Sequence, residues 1–114
     1  MNIQIIGTKK CKDTQKAERF FKERAIKYYF KDLTESQLSP GELKNISQVI
    51  PLEDLIDKES KQYKKRGLQF MVFNIETELL EDPLLLKTPI VRNGKKVTIG
   101  YQPEVWARWL KEES

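Results

Sequence analysis

The sequence has no histidine and only one cysteine, Cys11, among its 114 residues. One cysteine cannot form an internal disulfide, so we expect a reducing, cytoplasmic setting. Zinc sites draw mainly on cysteine and histidine, and this chain offers too few of either for a structural metal. We therefore expect no metal and no bound cofactor, and any thiol chemistry has to use Cys11.

Long apolar runs are also missing, and no stretch is long enough to cross a bilayer. Residues 1–7 lack a basic start and are too short for a signal peptide. We therefore expect no membrane partner. The length fits a single domain, residues 1–114, with an ordinary apolar core.

The net charge of +4 is unevenly distributed along the chain. Residues 1–31 carry nine Lys and Arg against three Asp and Glu, whereas residues 32–60 carry two against seven. The basic excess surrounds Cys11 and favours an anionic partner such as glutathione or an oxyanion. A solvated helix face accounts for the same charge equally well. No basic stripe is interleaved with exposed aromatic residues, so direct nucleic-acid binding is not expected.

Residues 5–14 have the pattern of a strand, a turn and the first turn of a helix, with Cys11 at the junction. A thiol at a helix N-terminus meets unpaired backbone N–H groups and the positive end of the helix dipole, which both favour the thiolate. Lys10 and Lys12 add positive charge, and the hydroxyl of Thr14 is spaced to donate a hydrogen bond to the sulfur. Such surroundings lower a cysteine pKa and make the thiolate a nucleophile. The alternative is that Cys11 is a small buried apolar residue.

The hydrophobic pattern predicts a βαβ unit at the start of the chain. An apolar strand at residues 3–6 precedes a helix over residues 12–24, whose apolar residues recur at i, i+3 and i+4. An aromatic-rich strand follows at residues 28–30. This spacing predicts that the two strands are parallel.

Residues 39–82 are predicted to be helical. Ser39 and Pro40 suit the N-cap and first position of a helix. Pro51 separates this helix from a second short one, and Gly67 suits a C-cap. A further helix is predicted after Gly67. Its buried face would hold Leu68, Val72, Ile75 and Leu79.

The last part of the chain is predicted to form a β-hairpin and a helix. Asn93-Gly94 is a strong signal for a two-residue turn between strands. Pro103 suits the start of a final helix, in which the spacing of Trp106 and Trp109 predicts core positions.

A βαβ half followed by a ββα half, with a thiol at the first helix N-terminus, is the thioredoxin-like plan. Residues 8–17, Thr-Lys-Lys-Cys-Lys-Asp-Thr-Gln-Lys-Ala, resemble the cysteine-bearing loop of the ArsC/Spx-like family. Residues 84–91, Leu-Leu-Leu-Lys-Thr-Pro-Ile-Val, followed by Gly100-Tyr101, resemble its late segment. The resemblance implies an α/β, thioredoxin-like fold with a helical insertion at about residues 39–82.

The resemblance also implies a cytoplasmic thiol oxidoreductase in which Cys11 passes through a mixed disulfide. Without a second cysteine, the other thiol comes from outside, from glutathione or from a protein thiol or disulfide. In thioredoxin-like folds the strand-initial proline is cis and faces the cysteine. Pro89 matches that proline, so the Thr88 backbone is expected to bind an extended, peptide-like substrate.

Arsenate reductases of the family hold their oxyanion with arginines. The matching positions here are Thr88, Tyr101 and, by a loose alignment, Asp57. A hydroxyl or a carboxylate supplies no charged bidentate donor, so arsenate turnover is not expected unless the fold brings Arg92 or Arg66 to the sulfur. Of these two, Arg92 is the candidate for substrate binding.

Two other functions remain open. One is an Spx-like transcriptional regulator that binds RNA polymerase, and the other is a true arsenate reductase with altered oxyanion ligands. The redox switch of the Spx regulators is a Cys-x-x-Cys pair. Thr14 occupies its second position here, so this chain has no intramolecular disulfide switch.

Overall fold

The computed structural model describes residues 1–113. Within them the chain forms two compact units. The first unit combines residues 1–32 with residues 88–113, and the second is Leu33–Lys87. The second unit therefore contains the predicted helical insertion and extends it by several residues at each end.

The first unit is built on a four-stranded sheet, ordered β2-β1-β3-β4. Strands β1 (Ile3–Gly7) and β2 (Tyr28–Asp32) are parallel, while β3 (Ile90–Asn93) is antiparallel to both β1 and β4 (Lys96–Ile99). Helix α1 (Lys12–Glu23) connects β1 to β2, and the C-terminal helix (Pro103–Glu112) follows β4. This βαβ plus ββα arrangement confirms the predicted thioredoxin-like α/β fold.

Both helices of the first unit pack their apolar stripes on one face of the sheet. Trp106 is fully buried, and its ring lies 5.3 Å from Phe20 and 5.4 Å from Phe21, centroid to centroid. Its indole N–H donates to Oγ1 of Thr98 at 2.8 Å, so the polar end of the ring is satisfied. The core predicted from the spacing of Trp106 and Trp109 is confirmed. The buried members of this core are Ile3, Ile5, Ala17, Phe20, Phe21, Val91, Trp106 and Trp109.

Helix α1 ends in a Schellman motif. The backbone N–H of Ile26 donates to the Phe21 carbonyl at 2.9 Å, and that of Ala25 donates to the Lys22 carbonyl at 3.0 Å. Ala25 has φ +56°, a left-handed conformation that usually favours glycine because of its missing Cβ. The helix therefore ends one residue before the sequence pattern indicates, at Glu23.

The hairpin turn lies one residue later than predicted. Asn93 is the last residue of β3 and pairs with Lys96, so Gly94 and Lys95 form the two-residue loop. Asn93 is held in the strand by distant contacts, because its Nδ2 donates to Glu113 at 2.7 Å and its Oδ1 accepts from the backbone N–H of Asn2 at 3.3 Å. Gly94 supplies the positive φ of +60° that the turn needs.

The second unit contains four short α-helices, three of which have a side-chain N-cap. They are α2 (Pro40–Ser47), α3 (Leu52–Leu55), α4 (Lys61–Lys65) and α5 (Ile75–Glu81). A capping box starts α2, in which Ser39 Oγ accepts from the Glu42 backbone and Glu42 Oε1 accepts from the Ser39 backbone. The C-terminal helix of the first unit is therefore α6. An antiparallel bridge between Ile56 and Leu86 joins the residue after α3 to the end of this helical unit.

The predicted single helix after Gly67 is wrong in its first half. Gly67 has φ +68°, a 3-10 turn follows over Leu68–Phe70, and an extended stretch precedes α5. Asn74 starts α5 by accepting from the Thr77 backbone N–H at 2.9 Å. Val72 was predicted on the buried face but is fully exposed. Leu68 and Leu79 are buried as predicted.

None of the helices within residues 1–113 is long and apolar enough to span a membrane.

Candidate functional site

Cys11 is the N-cap residue of α1. The turn after β1 brings it there, where its backbone is extended (φ −72°, ψ 120°) and its carbonyl accepts from the Gln15 N–H at 3.0 Å. The backbone N–H of Cys11 donates to the Thr8 carbonyl at 3.2 Å. The thiol is partly exposed, so Cys11 is not the small buried apolar residue of the alternative interpretation.

The start of β3 lies against the sulfur. The Thr88–Pro89 peptide bond is cis, as the family resemblance implies. The thiol of Cys11 donates to the Thr88 carbonyl, with Sγ and O 3.7 Å apart. The Pro89 carbonyl accepts from the Gly100 N–H at 2.8 Å, which fixes the residues after β4 beside the same loop. The structure therefore brings together Cys11, Thr88 and Pro89 from opposite ends of the chain.

The pKa of Cys11 is lowered from its ordinary value. Burial alone would raise it, but the hydroxyls of Thr14 and Thr88 and the backbone N–H groups of Thr14 and Asp13 are available as donors to the thiolate and lower the pKa overall.

The two lysines predicted to support the Cys11 thiolate are not among the groups that lower its pKa. Lys10 and Lys12 are exposed at the surface of the turn, and the pKa of Cys11 is lowered by the hydroxyls and backbone N–H groups rather than by these ammonium groups. Because water screens exposed charges, the lysines add to the local potential that an incoming anion meets.

Thr14 is the predicted supporting residue that the structure places deepest. Its side chain is fully buried, and its Oγ1 has no hydrogen-bond partner within residues 1–113. In the neutral state the thiol donates to the Thr88 carbonyl, which stabilises the protonated form. After deprotonation the sulfur of Cys11 can accept a hydrogen bond. The Thr14 hydroxyl, which has no other partner among the described residues, can then donate to it.

Arg92 does not lie beside the sulfur. It pairs with Gln4 in the register of β3 on β1, and its Nη1 donates to Gln4 Oε1 at 3.1 Å. Both residues line a separate cavity of about 250 Å³ that also includes Tyr29. The prediction that Arg92 contacts a substrate at Cys11 therefore finds no support in this geometry, because its strand carries it toward the other end of β1.

A model of the ArsC family matches residues 6–109. The chain belongs to the ArsC family. Among curated relatives, it is 30% identical to the global transcriptional regulator Spx 2 of Oceanobacillus iheyensis, over all of this chain and 87% of that protein.

Solved structures of the ArsC family share the fold. An ArsC family related protein from Bacteroides fragilis superimposes with a TM-score of 0.79 at 23% identity, covering 95% of this chain and 98% of that one. The arsenate reductase from Vibrio cholerae gives 0.80 at 20% identity, covering 95% and 97%. At these identities the likeness establishes the fold alone.

Tyr101 stands where the resemblance expects an ArsC arginine, and its ring is already engaged. It packs edge-on against Trp106, with centroids 5.7 Å apart, and the ammonium of Lys16 lies 5.5 Å from its centroid. Sequence reasoning missed Lys16, because no local pattern indicates that a residue on α1 reaches a residue after β4.

The arginine of the second unit is likewise occupied. Arg66 donates to Glu78 at 2.7 Å and to Asp82 at 3.2 Å, and Glu81 lies 3.9 Å away. Asp57, the loosely aligned position, accepts from the Glu59 backbone N–H in a local turn. These residues stabilise the helical unit through contacts within it.

Proposed function

We propose that this protein is a cytoplasmic thiol oxidoreductase that uses Cys11 as its single nucleophile, with glutathione as the external thiol. The observation that supports it is the lowered pKa of a partly exposed thiol at a helix N-terminus. A structural cysteine needs neither the donors that stabilise its thiolate nor access to solvent.

The reaction has two thiol–disulfide exchanges at Cys11 and a third in solution. The Cys11 thiolate attacks one sulfur of a substrate disulfide, forms a mixed disulfide and releases the other sulfur as a thiolate. A glutathione thiolate then attacks the substrate sulfur of that mixed disulfide, restores the Cys11 thiolate and leaves a glutathione–substrate disulfide. A second glutathione thiolate attacks the glutathione sulfur of that product and releases the substrate thiol. The substrate disulfide gains two electrons, and two glutathione molecules lose one each to become glutathione disulfide.

Charge around the sulfur suits an anionic thiol. Lys9, Lys10 and Lys12 are exposed in the turn and first residues that flank Cys11, and glutathione carries two carboxylates. The Thr88 backbone beside cis-Pro89 is the proposed partner for the peptide part of such a substrate. These features support glutathione as the thiol partner.

Intact mass spectrometry tests the proposal. Incubation with oxidised glutathione should add the mass of one glutathionyl group to the wild-type chain, and reduced glutathione should remove it. Cys11→Ser, the matched control, should gain no mass. A wild-type chain that stays unmodified while a free cysteine peptide reacts in the same tube would refute the enzyme proposal.

A second candidate is a transcriptional regulator that binds RNA polymerase. The observation in its favour is the 30% identity, over the whole chain, to a global transcriptional regulator. With Thr14 in place of a second cysteine, such a regulator would bind independently of an intramolecular disulfide. Co-sedimentation with purified bacterial RNA polymerase decides between the two: equal binding of wild type and Cys11→Ser supports the regulator, and no binding of either removes it.

A further inference from the structure

The last residue of β1, Gly7, lies directly under the side chain of Thr14. A Cβ at residue 7 would come within 2.5 Å of Thr14 Oγ1, 2.9 Å of its Cγ2 and 3.3 Å of its Cβ. Atoms do not approach this closely without a shift of one of them. Position 7 is thus closed to a side chain as long as Thr14 stays where it is.

Backbone conformation is not the reason for glycine at this position. Gly67, Gly94 and Gly100 have φ values of +68°, +60° and +79°, and a Cβ added to any of them would meet nothing within 4 Å. Gly7 differs from these three glycines. It is a residue of β1 in register with Asp32, and the position that its Cβ would occupy is filled by the Thr14 side chain. What glycine supplies there is room.

We propose that Gly7 is a positioning residue for Cys11: the missing side chain at the end of β1 leaves the space that the Thr14 hydroxyl occupies in the first turn of α1, from which it can donate to the Cys11 thiolate. The inference rests on the proposed function only because it concerns the same thiol. It names a residue outside the cysteine loop motif that controls how reactive that thiol is.

The adjustment to a methyl group at position 7 that costs least energy is a rotation of the Thr14 side chain about χ1. β1 is held on both sides by neighbouring strands, whereas threonine in a helix divides between two χ1 rotamers. Either that rotation or an outward shift of the first turn of α1 takes Oγ1 away from the sulfur. The charged neighbours Lys10, Lys12 and Asp13 are unaltered by the change.

The test is the pH dependence of Cys11 alkylation by iodoacetamide in Gly7→Ala, Thr14→Val and the double variant. Valine keeps the two branches of threonine but removes the hydroxyl. We expect Gly7→Ala to raise the alkylation midpoint by about as much as Thr14→Val, and the double variant to rise no further. Gly41→Ala is the matched control, because its added Cβ meets only Ser39 Oγ at 3.9 Å.

Two results would overturn the inference: a folded Gly7→Ala whose midpoint equals that of wild type, or shifts that add in the double variant. If Gly7→Ala does not fold, Gly7→Ala/Thr14→Ala decides, because alanine at 14 removes the two closest atoms. Recovery of the fold in that variant supports the contact with Thr14, and continued failure to fold overturns it. Alkylation reads thiol acidity rather than turnover, so failure of the oxidoreductase proposal leaves this result interpretable.

Discussion

Arsenate should not be reduced at a useful rate by the wild-type chain. A charged donor lost from an oxyanion site costs roughly 2.7–4 kcal/mol, a factor of about 100–1,000 in rate. The resemblance expects arginine at two positions that hold Thr88 and Tyr101. If the two losses act independently, they combine to about 10,000-fold or more.

The arginines that could replace those donors are engaged elsewhere. Nη1 of Arg92 bonds Gln4, on a strand position remote from the sulfur. Arg66 is bonded to Glu78 and Asp82, and withdrawing it would remove the guanidinium charge that both carboxylates contact. Each guanidinium is thus already bonded to side chains of its own compact unit.

A coupled assay checks this prediction. Arsenate, glutathione, glutaredoxin and glutathione reductase are mixed with the chain, and NADPH consumption is compared with that of Cys11→Ser and of an authentic arsenate reductase. We expect wild type to match Cys11→Ser within error. Thr88→Arg/Tyr101→Arg should gain turnover over wild type, since it restores two charged donors.

The reasoning would be refuted by wild-type turnover within tenfold of the authentic reductase. Such a rate would mean that the exposed lysines beside Cys11 hold the oxyanion as well as guanidinium groups do. A rate abolished by Lys10→Gln or Lys12→Gln would then identify which of them does so.

Three further predictions concern stability. Trp106→Phe should lower the free energy of unfolding by about 1–3 kcal/mol, because it removes the bond to Thr98 and leaves a cavity; an unchanged urea midpoint would contradict this. Ala25→Gly should raise the free energy of unfolding by about 0.5–1 kcal/mol, because relief of the strained left-handed backbone exceeds the added entropy of glycine in the unfolded chain. A lower urea midpoint would contradict this prediction. Burial and the Glu18 carboxylate, which accepts from the phenol at 2.9 Å, raise the pKa of Tyr28 to about 12. Its contribution to stability is therefore complete below about pH 10 and is lost as the pH rises through 12. Glu18→Gln should make that loss smaller in urea unfolding followed stepwise with pH, and an identical pH profile would refute the assignment.

Local patterns were enough for much of the fold. The spacing of apolar residues in α1 and α6 and the signal at Ser39-Pro40 all act within a few residues, and the corresponding elements are confirmed. The helix predicted across Val72 is wrong because it rested on the spacing of apolar residues alone. Asn74, a good N-cap, marked the true start of α5.

Long-range contacts limited the rest. The shifted turn at Gly94 depends on bonds from Asn93 to residues at both ends of the chain. The junction of Cys11 and Pro89 was predicted only because the family resemblance supplied it. The close approach of Gly7 to Thr14 has no signature in the sequence, since it depends on how the first turn of α1 packs against the end of β1.

The lone cysteine has a kinetic consequence. In a Cys-x-x-Cys pair, the second cysteine resolves a mixed disulfide in an intramolecular reaction, at a rate that does not depend on the concentration of other thiols. A mixed disulfide at Cys11 can be reduced only by a thiol of another molecule. The lifetime of that oxidised form is therefore inversely proportional to the amount of free thiol around it. Under the proposed oxidoreductase function, depletion of small thiols would therefore lengthen the lifetime of the modified protein.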